Sequence, residues 1–285
     1  MILITGATGS IGLELCKLLA QSNIKARAMC RKEAHLAQFI EMGLEAVIGD
    51  FDNPESLKKA MQGCKRLFLL TTAPNQLKHY KIGIDIAIET NVKHIVKISA
   101  ADANIQSDVL WAKENAQGDH YLRSKNIGWT ILKPTGFMQN FLEAKRGIAK
   151  GILQSINPNG SIACIDIRDI ALVARVVLTE ENHNGAMYFL TGSEMVSYKD
   201  AAEKLSKAFG YNIKNVIVSS DDMRNRLEAV GVENWRVDSI IAQEVVKNGF
   251  SVDVTGEVKR LTGQTPISFE QFAKDYEKQF EVNEQ

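Results

Sequence analysis

Through its first half the chain repeats one pattern: a short apolar run, then a longer stretch whose apolar residues fall three and four apart. The short runs are residues 2–4, 25–30, 45–48, 66–70, 94–98 and 129–132, and the longer stretches are 11–21, 34–42, 54–61, 77–90 and 109–123. Short apolar runs between turn residues predict buried strands, and the three-and-four spacing predicts helices with one apolar face. Pro54 opens one of these helices, and Gly43 and Gly63 follow the ends of two, the usual punctuation of helix termini. Alternating strands and helices predict parallel strands with helices on both faces of the sheet. The expected fold is therefore α/β, a Rossmann-type doubly wound parallel sheet.

The second half is less regular. Strands are expected at 161–165, 187–190 and 216–218, and helices at 170–178, 223–229 and 236–246. Asp169 is placed to cap the 170–178 helix. Ser197-Tyr198-Lys199-Asp200 and Ser268-Phe269-Glu270-Gln271 have capping-box spacing, the first opening a helix that stops at Gly210 and the second opening the last helix. The organisation expected is a Rossmann domain over 1–150, with segments from about 160–190 returning to it, and a smaller α/β C-terminal lobe over 191–285 on the substrate side.

Composition narrows the function classes. Hydrophobic residues make up 45% and charged residues 24% of the 285-residue chain, ordinary values for a globular protein. Lys+Arg and Asp+Glu both number 34, so the composition supplies no basic field for nucleic acid or an anionic membrane. No apolar run is long enough to span a bilayer. The turn that carries the chemistry follows directly on the first strand, which argues against a signal peptide. Cys16, Cys30, Cys64 and Cys164 form no C-x-x-C pair, and none of the five histidines has zinc-type spacing. Reduced thiols, no metal and a cytoplasmic location are expected.

The chemistry begins at Thr5-Gly6-Ala7-Thr8-Gly9-Ser10-Ile11-Gly12, where a strand feeds a glycine-rich turn and a helix leaves it. Gly6 permits the tight turn, Gly9 lets a pyrophosphate approach the backbone, and Gly12 lets helix and strand pack closely. The helix N-terminus would offer the backbone N–H groups of Thr8, Ser10 and Ile11 to the phosphates, with the Thr8 or Ser10 hydroxyl beside them. The second strand ends in Cys30-Arg31-Lys32, with no acid to hold a ribose 2′-hydroxyl but a guanidinium able to fork onto a 2′-phosphate. NADP(H) is expected in preference to NAD(H). Ligands of such sheets gather at the carboxyl ends of the strands. Asp50 and Phe51 are thus expected beside the adenine, and Thr71, Thr72 and Ala73 under the middle of the cofactor.

With these residues the chain resembles the NmrA-like branch of the atypical short-chain dehydrogenase/reductase superfamily. The resemblance rests on Thr5 to Gly12, on Arg31, on Gly49-Asp50-Phe51-Asp52, on residues 131–141 (ILKPTGFMQNF) and on residues 165–171 (IDIRDIA). It runs over nearly the whole chain and is strongest toward bacterial NADPH-dependent quinone oxidoreductases and triphenylmethane-dye reductases. It implies a Rossmann core, a small C-terminal lobe, substrate between the two, and NADP(H) as cofactor.

A Tyr-x-x-x-Lys pair, which better-known members of the superfamily use in catalysis, occurs at Tyr121 and Lys125. It stands only a few residues before the strand at 129–132. A helix leaving a parallel strand runs back to the opposite edge, so this pair is expected at the edge away from the cofactor. Ser99, ending the fifth strand, and Asn115, early in the next helix, are the candidates in reach of the chemistry. Relatives in the branch often carry Lys or His where Asn115 aligns. Asparagine donates a hydrogen bond but is no general acid or base, and Lys113 is expected to point away. Phe137, Met138 and Phe141 would wall a planar acceptor and Asn140 would orient its carbonyl; the alternative reading of the three apolar residues is that they close the core. Trp111 and Trp235 are read as core, and Asp166 as a strand-edge residue. The function expected is NADPH-dependent reduction of a quinone or similar planar acceptor by direct hydride transfer. The alternatives are a non-catalytic NADP(H)-binding redox sensor acting on a protein partner, and a nucleotide-sugar epimerase.

Overall fold

The computed structural model describes residues 1–246 and 252–282. In chain order the first half contains β1 (Ile2–Ile4), α1 (Ser10–Gln21), β2 (Ala26–Cys30), α2 (Leu36–Glu41), β3 (Glu45–Ile48), α3 (Pro54–Met61), β4 (Arg66–Leu69), α4 (Gln76–Glu89), β5 (His94–Ile98), α5 (Leu110–Arg123) and β6 (Gly128–Pro134). The second half contains α6 (Lys145–Ile148), β7 (Ile152–Ser155), β8 (Ser161–Ile162), α7 (Ile167–Thr179), β9 (Ala186–Leu190), β10 (Val196–Ser197), α8 (Tyr198–Phe209), β11 (Lys214–Ile217), α9 (Ser220–Ala229), α10 (Asn234–Val246), α11 (Glu257–Thr262), α12 (Phe269–Asp275) and α13 (Glu277–Phe280).

Seven strands form one sheet in the order β3-β2-β1-β4-β5-β6-β9, and every pairing in it is parallel. The chain starts in the middle, winds outward to β3, then crosses back to β4 and winds the other way. The reversal between β1 and β4 is the switch point at which such sheets open a ligand crevice. Side chains alternate across the strands, so each face has its own core. One face packs Ile4, Phe68, Val96 and Leu132 against Leu15 and Leu19 of α1 and Ile170, Val173 and Val177 of α7. The other packs Leu3, Leu67, Ile95 and Ile131 against Leu57 of α3, Tyr80 and Ile84 of α4 and Leu122 of α5. The doubly wound sheet expected from the hydrophobic pattern is the one observed.

A third core gathers Met138, Ile148, Leu153, Leu205, Ile213, Phe269, Phe272 and Phe280. Two small sheets frame it: β7 with β11, parallel, and β8 with β10, antiparallel. A narrow seam joins this lobe to the large sheet. Phe137 bridges Ile165, Thr135 Oγ1 donates to Ala163 O at 2.6 Å, and Gly192 N donates to Ala163 O. A Cβ at Gly192 would lie 2.0 Å from Cys164 O, so only glycine permits that approach.

Some boundaries differ from expectation. The strand expected at 161–165 pairs only at Ser161–Ile162, because beyond it the backbone turns to meet Phe137. β7 was absent from the sequence reading; of its four residues, Leu153 and Ser155 are buried while Ile152 is exposed, so no apolar alternation marks it. Asp169 is not the cap of α7. Asp166 holds that place, accepting from Arg168 N at 2.9 Å, and Asp169 is buried in the first turn, where it accepts from Ile267 N at 2.8 Å. That burial pushes the Asp169 carboxyl up to about 6. At the head of α8, Ser197 Oγ accepts from Asp200 N at 3.1 Å and Asp200 Oδ2 accepts from Ser197 N at 2.9 Å, a complete capping box. Ser268 caps α12 through Gln271 N, but the Gln271 side chain bonds Asp275 instead. Among the described residues no helix is long and apolar enough to cross a membrane.

Replacing Ser197 by alanine removes the Oγ half of the box. Urea unfolding is expected to show a loss of about 1 kcal/mol with an unchanged denaturant slope.

Candidate cofactor site and active site

At the switch point, Thr5 Oγ1 lies 3.0 Å from Phe68 O and 3.1 Å from Leu70 O, and accepts from Leu70 N at 2.9 Å. This joins the ends of β1 and β4 and fixes where the glycine turn begins. Gly6 has φ +63°, in the left-handed region. Its carbonyl accepts from Gly9 N at 2.9 Å. A Cβ at Gly12 would lie 2.2 Å from that same carbonyl oxygen, so α1 leaves the turn as close to the strand as backbone allows. The first turn of α1 has neither a side-chain cap nor an acidic residue. Its N–H groups and positive dipole end therefore face the crevice without internal compensation, and Thr8, Gly9 and Ser10 are exposed there. The turn fits a pyrophosphate.

Arg31 and Lys32 are exposed directly beyond β2, and among the described residues neither has an ion-pair partner. Beyond β3, Asp50 turns back on its own loop: its N–H donates to Ser56 Oγ and its carboxylate accepts from Asp52 N, both at 3.0 Å. Phe51 is buried. Its ring stacks on His79 at 5.3 Å, over Gly83, where a Cβ would meet it at 2.9 Å. Beyond β4, Thr71 is buried, Thr72 exposed and Ala73 half-buried. All these residues lie at the carboxyl ends of parallel strands, so they share one sheet edge.

Ser99 and Asn115 are both buried at that edge, and side chains that the sequence reading overlooked connect them. Lys97, in β5, is fully buried. Its Nζ lies 2.8 Å from Asp119 Oδ1, 3.2 Å from Asn115 Oδ1 and 3.8 Å from the centre of the Tyr80 ring. Ser99 Oγ donates to Asp119 Oδ2 at 2.7 Å, and Lys133 Nζ lies 3.4 Å from the same oxygen. Tyr80 OH lies 2.9 Å from Asn115 Oδ1 and 2.9 Å from Ile98 O, and accepts from Gln76 Nε2 at 2.9 Å. Burial pushes the Lys97 ammonium down to about 8, against the pull of Asp119, and pushes the Tyr80 phenol up. The signal for this network was in the sequence: a lysine inside an otherwise apolar central strand must be paired. Asn115 and Asp119, four apart on one helix face, are its partners.

Tyr121 OH lies 2.7 Å from Asp85 Oδ2, and Lys125 Nζ 3.1 Å from Asp85 Oδ1. This cluster sits at the end of α5, across the sheet from the glycine turn, as the length of the helix required. Lys113 is exposed. After β6 the expected apolar wall divides. Met138 is 1% exposed within the core of the small lobe, which corrects its assignment to the acceptor wall: its side chain is consumed by lobe packing. Phe141 is half-buried, edge-on to Phe269 at 5.0 Å, and serves mainly the same core. Phe137 is half-buried and Asn140 exposed. Facing them, α10 spans the opening: Gln243 Nε2 donates to Asp102 Oδ2 at 3.0 Å, Ser239 Oγ accepts from Leu110 N at 3.3 Å, and Arg236 pairs with Glu143 at 2.6 Å. Trp111 and Trp235 are half-buried.

Residues 6–181 match the model of an NAD(P)H-binding family, and the chain belongs to that family. It is 29% identical over 280 residues to an NAD(P)H azoreductase of Xenophilus azovorans, covering 96% of this chain and 97% of that protein. It is 26% identical over 271 residues to quinone oxidoreductase 2 of Escherichia coli, covering 92% and 94%. Among solved structures, an Escherichia coli NADPH-dependent quinone oxidoreductase complexed with NADPH superposes with a TM-score of 0.88 at 23% identity, covering 96% and 99%. A Citrobacter sp. triphenylmethane reductase complexed with NADP(H) gives 0.86 at 23% identity, with the same coverage. These two likenesses establish the Rossmann-type fold.

The two glycines differ in what they can tolerate. Gly12→Ala is expected to cost about 1–3 kcal/mol by forcing α1 off the strand. Gly9, where a Cβ would lie 3.3 Å from Gly6 O at an ordinary φ of −81°, is expected to accept alanine within about 0.5 kcal/mol. Thermal and urea unfolding of the two variants check this.

Proposed function

We propose that this protein is an NADPH-dependent reductase that delivers hydride directly to a quinone or a similar planar acceptor. One observation carries the reading: a helix N-terminus without a side-chain cap behind the Gly6-Gly9-Gly12 turn, with the exposed Arg31 guanidinium, unpaired among the described residues, at the end of the neighbouring strand. Bound NADPH supplies the hydride. Gly6, Thr8, Gly9, Ser10, Ile11 and Gly12 form the pyrophosphate cradle, and Arg31 forks onto the 2′-phosphate with Lys32 adding charge. Asp50 and the rim of Phe51 border the adenine, and Thr71, Thr72 and Ala73 lie under the middle of the cofactor. Ser99 and Asn115 face the reacting groups. Phe137 and Asn140 form the acceptor side, with the accessible edge of Phe141 beyond them.

The chain's own task is to hold the acceptor flat against the cofactor and exclude water, because no acid or base of the protein has to take part in moving a hydride. The names of the relatives, an azoreductase and a quinone oxidoreductase, fit planar conjugated acceptors of this kind. An epimerase would require a catalytic Tyr-Lys pair at the cofactor, whereas Tyr121 and Lys125 are bound to Asp85 at the opposite edge.

Steady-state NADPH oxidation with a panel of quinones and azo dyes tests the reading. Turnover with at least one planar acceptor is expected. Tight NADPH binding without turnover on any of them would replace the reductase by a cofactor-responsive regulator of a protein partner. Arg31→Ala is expected to weaken NADPH roughly ten- to a hundredfold, the worth of a charge-assisted contact of about 1.5–3 kcal/mol, and to leave NADH nearly unchanged. Equal losses in fluorescence titrations would remove Arg31 from the 2′-phosphate. Gly9→Ala, folded normally, is expected to lose affinity for both cofactors alike.

A further inference from the structure

We propose that Lys97 is a positioning residue: from inside the sheet it holds the oxygen of the Asn115 carboxamide, so that the amide NH2 becomes a fixed donor to a carbonyl oxygen bound at the carboxyl edge. The proposal rests on the reductase reading and names how that site grips a carbonyl.

The orientation of the amide follows from chemistry. A lysine ammonium only donates hydrogen bonds, so the Asn115 atom 3.2 Å from Lys97 Nζ is the oxygen. The Tyr80 hydroxyl converges on the same oxygen at 2.9 Å. Turning the amide over would set NH2 against an ammonium in a buried site and forfeit the Lys97 contact; the Tyr80 hydroxyl, which can also donate to Ile98 O, suits either sense, so Lys97 decides it. Among the described residues nothing receives Nδ2, so the donor end remains for a ligand. Ser99 is set in the opposite sense. Its proton is directed inward to Asp119 Oδ2, which leaves its lone pairs as the outward feature. Asn115 and Ser99 thus form a donor and an acceptor whose polarity is decided from below.

The fold makes room for this. Lys97 passes beneath α5 at Gly118, where a Cβ would lie 3.1 Å from Lys97 Cε and 2.5 Å from the Tyr80 ring. A buried ion pair adds little to stability compared with apolar packing. The groups facing Lys97 are Asp119 and Asn115 from α5, Tyr80 from α4, Lys133 from β6 and Ser99 from its own chain. Lys97 and Lys133 share the single carboxylate of Asp119. Burial holds the ammonium of Lys97 down to about 8; the neutral amine formed above that pH keeps N–H donors but gains a lone pair, so it no longer dictates which end of the amide faces it.

Three measurements test the proposal. In the cofactor-free protein labelled with 15N-asparagine, the Asn115 side-chain resonances are expected to shift with a midpoint near pH 8, and Lys97→Met is expected to abolish that shift. Invariance between pH 7 and 9 in the unmodified protein overturns the proposal, and this arm needs no variant to fold. Second, in a double-mutant cycle, Lys97→Met and Asn115→Ala are each expected to raise the affected constant, acceptor KM or NADPH Kd, roughly tenfold, and the double variant no further. Losses that multiply overturn it. Third, acceptor KM and NADPH Kd are measured separately. A change in KM assigns the carbonyl to the acceptor and a change in Kd assigns it to the cofactor carboxamide; a change in neither overturns the proposal. Absence of turnover would defeat the reductase reading alone, because the resonance shift and the NADPH affinity still decide the role of Lys97.

Discussion

The architecture of the crevice depends on one close contact, that of Gly12 with the carbonyl of Gly6. It sets α1 against β1 at backbone distance and aims the helix N-terminus across the switch point. Thr5 then fixes β1 to β4 at the same level. With these two constraints in place, the ends of β2, β3, β4 and β5 present Arg31, Asp50, Thr71 and Ser99 along one edge. The N–H groups at the head of α1 are left without internal partners, and in a crevice of this shape an anionic phosphate is their natural complement.

Beneath that edge the sheet departs from the apolar interior its strands require. Lys97 and Lys133 enter from adjacent strands on the same face as Ile95 and Ile131, and a single carboxylate answers both. Such a cluster is costly to desolvate and adds little net stability. What it supplies is direction: the Lys97 ammonium can only donate and the Asp119 carboxylate can only accept, and the two side chains at its upper surface, Asn115 and Ser99, inherit that determinacy.

The sheet was legible because its signals are local. Apolar runs and helical spacing fall on every strand and helix from Ile2 to Pro134, and the glycine turn sits where strand meets helix. The network around Lys97 was less visible because the strand around it is apolar, and its significance lies in contacts with Asp119 and Tyr80 on two different helices. Asp166 and Asp169 show the same limit. Both stand where a cap could be, and the choice between them was made by Ile267, nearly a hundred residues further on, which bonds Asp169. Met138 reads equally as pocket wall or core until the small lobe closes around it, and short strands such as β7 carry no periodicity because one partner strand is their main support.

The seam between the lobes bears on the range of acceptors the proposed site would admit. Thr135, Phe137, Ala163, Ile165 and Gly192 bind the small lobe to the sheet through a few backbone contacts, and at Gly192 there is no space for any side chain. In the proposed reading, the gap between Phe137 and the cofactor edge therefore follows from how the small lobe is set at this seam and at the Ile267–Asp169 and Asp275–Arg168 contacts with α7. Residues outside the proposed acceptor side, Gly192 above all, then bear on the thickness of molecule the proposed site would admit. Divergence toward bulkier or thinner acceptors can proceed at the seam while the cofactor edge stays unchanged.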